Sequence, residues 1–321
     1  MSETMSLNEK KLYKGSRDKP NDFDYFWEKQ IRQLNSKNDY TLYKCHFMID
    51  YVDCYDLTIQ MENNSSTYCK VLKPLGKGPF PVVFHFHGYQ GQSSDWSEYF
   101  KYILAGYAVV AMDVRGQAGK SVDGNYFKGN TVKGHIVRGM TENPNDLFFK
   151  DIYLDVYRVI ELVATFDWVD NDNLTTLGAS QGGALALVGG ALSDKIKKII
   201  SVYPFLSDFS RVLELKLSCE PYDELFRYFK FEDPFYMTEE KILSSLDYID
   251  IKNFADLIKG DVKLVTGLRD DICLPSTQYA IVNHLKTSYE HIILPEYGHE
   301  AMNVFMHDKI MNWITGDKIG E

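Results

Sequence analysis

Residues 173–192 read NLTTLGASQGGALALVGGAL, in which a β-prone run ends at Ser180 and a helix of small residues follows directly. Gly178, Ser180 and Gly182 form the pattern G-x-S-x-G at that junction. A serine hydroxyl is a weak nucleophile at neutral pH, so a reactive serine needs a sharp turn beside a base, and flanking glycines let other backbone pass closely. A chance match in a chain of this length is expected on the order of 0.1 times. The stretch predicts a nucleophile elbow with Ser180 as the nucleophile, and a plain strand-to-helix turn is the alternative.

Short β-branched runs recur on both sides of the elbow. They are PVVFHFHG (81–88), YAVVAMD (107–113), KKIISVYP (197–204), VKLVTGL (262–268) and HIILPE (291–296). Their composition is typical of parallel strands that are buried on both faces. Residues 151–166, which lie between two such runs, have apolar positions at helical spacing. Alternating strands and helices predict a doubly wound, mostly parallel sheet, and together with the elbow they predict the α/β-hydrolase fold.

The remaining segments fit around this sheet as one domain over residues 1–321. Residues 20–34 predict an N-terminal helix with an Asn or Asp cap, packed on the outside. Residues 40–72 alternate polar and apolar groups, which predicts antiparallel strands at one edge of the sheet. Residues 207–250 predict a helical, lid-like insertion. Residues 114–150 are too long for an ordinary connection and predict a structured loop insertion with a functional or interface role.

Composition excludes several classes of protein. The 321 residues are 45% apolar and 14% aromatic, enough to fill a large core, and the formal net charge of −10 argues against nucleic acid or anionic lipid as a partner. The first residues lack the apolar run of a signal peptide, and no apolar stretch is long enough for a transmembrane helix. Five cysteines without paired C-x-x-C spacing favour a reducing compartment, where each would be a small buried hydrophobe. We therefore expect a soluble, cytoplasmic protein. Acyl transfer through Ser180, the chemistry that the elbow predicts, requires no metal and no other cofactor.

The residues that could activate Ser180 lie late in the chain, since the order in this fold is nucleophile, acid, histidine. Of the histidines after Ser180, His299 alone follows the last predicted strand at a glycine-bearing turn, which makes it the expected general base. Asp270 and Asp271 both follow a buried strand directly, and their spacing alone does not distinguish them. One of them is expected to orient the imidazole of His299 and to stabilise the imidazolium.

The oxyanion hole is expected to use two backbone N–H groups. One belongs to Gln181, directly after the nucleophile, and the other to the loop HGYQG (87–91), where Tyr89 is the plausible donor. A simple tight turn is the alternative for this loop. His85 and His87 are expected to be structural rather than metal ligands. Arg115 follows a strand and is expected to form a structural ion pair.

Three separated motifs in order give the chain a resemblance to carbohydrate esterase family 7, the acetyl xylan esterase and cephalosporin C deacetylase group. They are R-G-Q at 115–117, G-A-S-Q-G at 178–182 and H-E at 299–300, supported by PNDFDYFW, HGYQGQSSDW, GNTVKGHIVRGM and LPST. The resemblance implies that Asp270 rather than Asp271 is the catalytic aspartate. It also implies that Tyr89 and Gln181 are the oxyanion donors.

The same resemblance implies a substrate and an assembly. The substrate would be a small acetylated carbohydrate, such as a xylo-oligosaccharide, or cephalosporin C, hydrolysed through an acyl-enzyme on Ser180. The assembly would be a closed homo-hexamer with inward-facing active sites, and Tyr126, Phe148 and Phe149 in the long insertion are candidate interface residues. The alternatives are a peptidase or lactone hydrolase with the same triad, or a non-catalytic carbohydrate-binding protein.

Overall fold

The computed structural model describes residues 3–34, 39–46, 49–126, 135–301 and 305–316. Nine strands in these ranges form one sheet in the order β1-β2-β3-β5-β4-β6-β7-β8-β9. Strands β1, β2 and β3 pair antiparallel with one another, and β3 pairs antiparallel with β5. All pairs from β5 to β9 are parallel. In chain order the strands are β1 (Tyr40–Cys45), β2 (Val52–Gln60), β3 (Ser66–Pro74), β4 (Phe80–Phe86), β5 (Ala108–Met112), β6 (Val169–Ala179), β7 (Ile196–Val202), β8 (Asp261–Gly267) and β9 (Tyr289–Leu294).

The helices lie between and around these strands. They are α1 (Leu7–Lys10), α2 (Phe23–Gln33), α3 (Phe100–Leu104), α4 (Phe148–Val163), α5 (Gln181–Leu192), α6 (Phe209–Glu214), α7 (Asp223–Phe231), α8 (Glu239–Leu246), α9 (Pro275–Val282) and α10 (Met306–Thr315). Short 3₁₀ turns occur at Trp96–Tyr99, Pro144–Asp146, Ile251–Asn253 and Ala255–Leu257. Within the described residues, none of the helices combines the length and the apolar character that crossing a bilayer requires.

Alternation along the central strands divides the core into two layers. On β4, Phe84 and Phe86 point into the layer that contains α4 and α5, whereas Val83 points into the layer that contains α3 and α10. Successive side chains of a strand face opposite sides of a sheet, so a run such as 82–84 can be apolar throughout only if both faces are covered. The α/β-hydrolase fold predicted from the sequence is confirmed.

Two expectations about strands are met and one needs a qualification. The antiparallel edge at residues 40–72 and the central parallel strands are present where the pattern placed them. Residues 291–294 of the run HIILPE lie in β9, but their side chains are only half-buried rather than buried on both faces. The reason is its position, because β9 is the last strand of the sheet and is covered less completely than the inner strands.

The prediction that the helix at residues 20–34 packs on the outside is wrong. Helix α2 buries Phe23 and Trp27 in the main core. The Phe23 ring meets the Phe254 ring edge-on at 4.9 Å, and the indole N–H of Trp27 donates a hydrogen bond of 3.1 Å to the Tyr248 carbonyl. The aromatic residues of this helix therefore join the N-terminal segment to the chain that precedes β8.

The long insertion at 114–150 is only partly an exposed loop. Residues 127–134 of it, including part of the motif GNTVKGHIVRGM, lie outside the described residues. Phe148 and Phe149, which the sequence analysis offered as interface residues, begin α4 and are fully buried in the chain's own core. That part of the prediction is wrong, because side chains that fill the core of one copy are not available to another. Tyr126 is 89% exposed, so it remains a candidate interface residue.

Arg115 connects the beginning of this insertion to α4 through an ion pair. Its Nε donates to Asp155 Oδ2 at 2.6 Å and one Nη donates to Asp155 Oδ1 at 2.5 Å, so the pair is bidentate. Both side chains are buried, and a further Nη of Arg115 donates to the hydroxyl of Ser65 at 3.1 Å. The ion-paired structural arginine expected at this position is present.

Replacement of Arg115 should destabilise the fold. Removing one partner of a buried ion pair leaves an uncompensated charge, so Arg115→Met should lower the free energy of unfolding by about 3–5 kcal/mol in urea titrations. The double variant Arg115→Met/Asp155→Leu should recover part of this loss because no buried charge is left. Arg32→Met is the control: Arg32 pairs with Glu28 at 2.8 Å on the surface, and its loss should cost about 0.5 kcal/mol. Equal effects of Arg115→Met and Arg32→Met would contradict the structural role.

Candidate active site

Ser180 lies on a strained turn between β6 and α5. Its φ is 56° and its ψ is −121°, a conformation that non-glycine residues rarely adopt. Three backbone hydrogen bonds hold this turn: the Ser180 N–H donates to the Val202 carbonyl at 2.9 Å, and the Ser180 carbonyl accepts from the N–H groups of Ala184 at 3.0 Å and Phe205 at 3.1 Å. The turn carries the hydroxyl out of the strand at the carboxyl edge of the parallel sheet.

The two glycines of the elbow are required by close backbone contacts. A Cβ on Gly178 would lie 2.3 Å from the carbonyl carbon of Gly182, and a Cβ on Gly182 would lie 2.1 Å from the carbonyl oxygen of Phe86. These separations are far shorter than carbon atoms tolerate, and both opposing atoms belong to backbone that cannot move aside. The G-x-S-x-G spacing therefore has a steric cause in this chain.

The structure brings Ser180, His299 and Asp270 together in one hydrogen-bonded series. The His299 Nε2 lies 3.1 Å from the Ser180 Oγ, and the His299 Nδ1 lies 2.9 Å from Asp270 Oδ2. With Nδ1–H donating to the carboxylate, the Nε2 lone pair accepts from the serine hydroxyl. This is the tautomer that a general base beside a serine needs.

Asp270 is distinguished from Asp271 by its surroundings. The Asp270 side chain is completely buried, whereas Asp271 is exposed. Asp270 Oδ1 accepts the backbone N–H groups of Ile272 at 2.9 Å and Cys273 at 2.7 Å. These donors fix the carboxylate so that its other oxygen faces His299. Of the two aspartates that residue spacing had left open, the structure therefore places Asp270 against His299.

Tyr203 packs on the imidazole of His299. Their ring centroids are 4.6 Å apart with an interplanar angle of 54°, and burial raises the pKa of the Tyr203 hydroxyl to about 12. The residue has a positive φ of 34° directly after β7, and its N–H donates to the Val265 carbonyl at 2.8 Å. A neutral tyrosine ring therefore limits the orientations that the His299 ring can adopt.

The HGYQG loop is held by His87, which is buried directly after β4. The Val114 N–H donates to His87 Nε2 at 2.9 Å, so the ring proton is on Nδ1 and donates to the Gly88 carbonyl at 2.8 Å. Burial lowers the pKa of His87, which keeps this neutral tautomer. His87 thus has the structural role expected from the sequence.

Gln117, the last residue of the R-G-Q motif, joins the loop to the elbow. Its Oε1 accepts the Gln90 backbone N–H at 2.8 Å and the Gln181 side-chain amide at 3.0 Å. Its Nε2 donates to Gln181 Oε1 at 2.6 Å. One amide side chain therefore sets the distance between the HGYQG loop, which carries Tyr89, and the first residue of α5.

These elements border a cleft of about 780 Å³ at the carboxyl edge of the sheet. Ser180 and His299 open into it, and Tyr89 lies on its wall. Glu220 and Pro221 also line it, so the helical insertion at 207–250 contributes to the site wall. Ligands of open α/β sheets bind at this edge.

Sequence reasoning missed three residues of this site. Gln117 was part of a recognised motif, but its partner Gln181 is 64 positions away in sequence. Tyr203 directly follows a parallel strand, where functional side chains collect, and this position was the only feature of the sequence that could have identified it as a site residue. Cys273 was expected to be an ordinary buried hydrophobe, yet it lies among the ligand atoms of Asp270 and His299.

The fold defines the chain as an α/β hydrolase, and the edge of its sheet brings a serine, a histidine and an aspartate within hydrogen-bond distance. The sequence model described as acetyl xylan esterase (AXE1) matches residues 2–317. The chain therefore belongs to the acetyl xylan esterase family, and this membership places it among the carboxylic ester hydrolases.

Solved structures agree with this assignment. Acetyl xylan esterase 1 from Thermoanaerobacterium sp. JW/SL YS485 is 37% identical, with a TM-score of 0.94 over 97% of this chain and 98% of that one. The acetyl xylan esterase from Paenibacillus sp. R4 is 30% identical, with a TM-score of 0.90 over 97% and 99%. Among curated proteins, for which the comparison is of sequence alone, acetyl esterase Axe7A of Xylanibacter ruminicola is 27% identical over 287 residues, which are 86% of this chain and 62% of that relative's length.

Asp270→Asn should be far more damaging than Asp271→Asn. Asparagine keeps an oxygen for the two backbone donors, but it cannot stabilise the imidazolium and can select the wrong tautomer, so kcat should fall by about 10⁴. Asp271→Asn, the matched neighbour at an exposed position, should change kcat by less than about twofold. Steady-state rates with a small acetyl ester would measure both. If Asp271→Asn lowered kcat more than Asp270→Asn, the role of catalytic acid would have to be assigned to Asp271 instead.

Gln117→Met should reduce turnover without unfolding the protein. Methionine has the length of glutamine but no amide, so the link between the HGYQG loop and α5 would be lost. An oxyanion donor contributes about 10²–10³ in kcat, and loosening the frame of two donors should cost about 10-fold to 100-fold. The control is Gln30→Met, which removes a 2.7 Å amide bond to Asn145 far from the cleft. A loss of kcat that is the same for both variants would refute a specific role of Gln117.

Proposed function

We propose that the protein removes acetyl groups from small acetylated carbohydrates, xylo-oligosaccharides above all, and from cephalosporin C. The observation that supports this proposal best is the continuous series from Ser180 Oγ through the His299 ring to a buried Asp270, opening into a cleft. Membership of the acetyl xylan esterase family supports the acetyl group as the acyl part. The names of the similar proteins support an acetylated carbohydrate as the alcohol part.

In the proposed mechanism, the Ser180 hydroxyl attacks the carbonyl carbon of the acetyl ester while His299 Nε2 takes its proton. Asp270 stabilises the imidazolium through the Nδ1–H hydrogen bond. The tetrahedral intermediate collapses, and His299 returns the proton to the oxygen of the leaving alcohol. Water, deprotonated by His299, then attacks the acetyl-enzyme and releases acetate and free Ser180.

The negative charge of each tetrahedral intermediate would be stabilised by the backbone N–H groups of Tyr89 and Gln181. Gln181 is the first residue of α5, where N–H groups have no partner within the helix and the helix dipole favours negative charge. Gln117 supports both donors, since it binds Gln90 and Gln181 at once. Donors that are already in place cost no reorganisation when the charge develops.

Apolar side chains border the cleft that contains Ser180. Tyr203, Ile272 and Pro221 border the same cleft as Ser180 and present apolar surface near the nucleophile. Such a surface suits the methyl group of an acetyl ester. Because Pro221 belongs to the 207–250 insertion, we propose that this insertion is lid-like and helps to select the substrate.

We also propose a cytoplasmic location and a homo-hexamer. The five cysteines are free, which supports a reducing compartment. For the assembly, Tyr126 and Phe231 are exposed aromatic side chains that line one cleft between the long insertion and α7. Exposed aromatic side chains are enriched at protein interfaces.

An acetate-release panel tests the function, with Ser180→Ala as the blank. Short acetylated xylo-oligosaccharides and cephalosporin C should release acetate, longer acyl esters should react more slowly, and peptide amides should not react. Ser180→Ala keeps the Cβ of the elbow but has no hydroxyl, so its kcat should fall by about 10⁶. Circular dichroism should show the same fold for both proteins. Amide cleavage at a rate equal to ester cleavage would favour a peptidase instead.

Assembly and substrate size form a linked prediction. If active sites face an enclosed cavity, acetylated xylan polymer should be deacetylated at least about tenfold more slowly than short oligosaccharides at matched acetyl concentration. Light scattering should give a mass of six chains. Tyr126→Ser should weaken the assembly, whereas Tyr43→Ser, at an exposed tyrosine of the edge strand β1, should leave it intact. A monomer that treats both substrates equally would refute both halves of this prediction.

A further inference from the structure

Cys273 brings a thiol into the same small space as the proposed triad. It lies on the loop between β8 and α9, where its N–H donates to Asp270 Oδ1 at 2.7 Å and its carbonyl accepts from Gln278 Nε2 at 2.5 Å. The side chain is 1% exposed, so the thiol is almost completely enclosed by protein. The proposed hydrolysis gives this thiol no role.

One ligand atom each from Asp270, Cys273 and His299 lie within 4.8 Å of one another, the only such group of three within the described ranges. A carboxylate oxygen, a sulfur and an imidazole nitrogen are the three kinds of ligand that zinc accepts in proteins. Two of these atoms are already close, since His299 Nδ1 and Asp270 Oδ2 are 2.9 Å apart. The backbone hydrogen bonds of Cys273 hold the sulfur at this place in the loop.

We propose that Asp270, Cys273 and His299 form an inhibitory binding site for a borderline or soft divalent cation of the Zn²⁺ and Cd²⁺ class. The cation replaces the thiol proton, which leaves to the buffer, and forms bonds to the sulfur, to one carboxylate oxygen and to one ring nitrogen. The thiolate and the carboxylate carry two negative charges, so the occupied site is electrically neutral. Neutrality matters because an uncompensated charge in a buried site is costly.

The geometry requires only a small adjustment. Bonds of about 2.3 Å to sulfur and about 2.0–2.1 Å to nitrogen place neighbouring ligand atoms about 3.5 Å apart around a tetrahedral ion. Atoms that lie within 4.8 Å of one another reach this separation when side-chain rotation displaces them by about 1 Å. The cation can enter from the cleft, into which Ser180 and His299 open.

Binding through either ring nitrogen of His299 abolishes its function as a base. A cation on Nε2 occupies the lone pair that faces Ser180. A cation on Nδ1 breaks the bond to Asp270 and forces the ring proton onto Nε2, which can then accept nothing from the serine. Hard cations such as Mg²⁺ and Ca²⁺ prefer oxygen ligands and bind thiolates weakly, so inhibition is selective for the zinc class.

The first test measures ester hydrolysis against ZnCl₂, CdCl₂ and MgCl₂, with each variant referred to its own metal-free rate. We expect Zn²⁺ and Cd²⁺ to inhibit the wild-type protein, EDTA to restore it and Mg²⁺ to have no effect. Cys273→Ser should raise the half-inhibitory concentration by at least about tenfold, as loss of a good ligand does. Cys219→Ser and Cys45→Ser, which alter two other half-buried thiols, should respond like the wild type.

A second test needs no turnover, so it is separate from the proposed function. The Ser180→Ala protein is titrated with Cd²⁺, and the ultraviolet absorption of the cadmium–thiolate bond is recorded. One Cd²⁺ per chain should produce a band that Ser180→Ala/Cys273→Ser lacks. Ser180→Ala/Asp270→Asn should bind at least about tenfold more weakly. The proposal is overturned if millimolar Zn²⁺ leaves the wild type active, if Cys273→Ser is inhibited as strongly as wild type, or if the cadmium band survives loss of Cys273.

Discussion

Close contact between the start of α5 and the ends of β4 and β6 is the constraint on which the site depends. The backbone of Gly182 passes so near the Phe86 carbonyl that no side chain fits between them. Because the helix starts against two strands at once, Ser180 must turn through a positive φ to connect β6 to α5. The strain is held by hydrogen bonds of Ser180 to β7 and to the first turn of the helix. The position of Ser180 thus follows from the packing of the central sheet.

Asp270 and His299, which continue the hydrogen-bonded series from Ser180, lie on loops that are held in place by backbone hydrogen bonds. The Arg269 N–H donates to the Tyr297 carbonyl at 2.9 Å, which ties the aspartate loop to the histidine loop. Asp270 receives backbone donors on one oxygen and His299 on the other, so its carboxylate has a single useful orientation. Gln117 likewise holds the HGYQG loop, because its side chain accepts the Gln90 backbone N–H. Rigid loops at the carboxyl edge of the sheet explain how residues far apart in sequence meet within hydrogen-bond distance.

The close packing of these loops also brings together the ligand atoms of the proposed cation site. A thiol among an imidazole, a carboxylate and a hydroxyl serves no step of ester hydrolysis, but it completes a set of ligands for a zinc-class cation. Its position follows from the turn that supplies Asp270 with donors, since the N–H of Cys273 is one of them. The loop that orients the Asp270 carboxylate therefore also carries the sulfur of Cys273.

The sequence alone determined the sheet, the elbow and the chain positions of Ser180, His299 and a nearby aspartate, because strand periodicity, glycine sterics and loop placement are local properties. It did not determine which aspartate faces His299, since Asp270 and Asp271 differ only in where the turn points them. It also misjudged α2, Phe148 and Phe149, whose burial depends on partners such as Phe254 that lie far along the chain. The meeting of Gln117 with Gln181, and of Cys273 with His299, was decided by the tertiary structure alone, because no local pattern specifies which loops of a folded sheet come into contact.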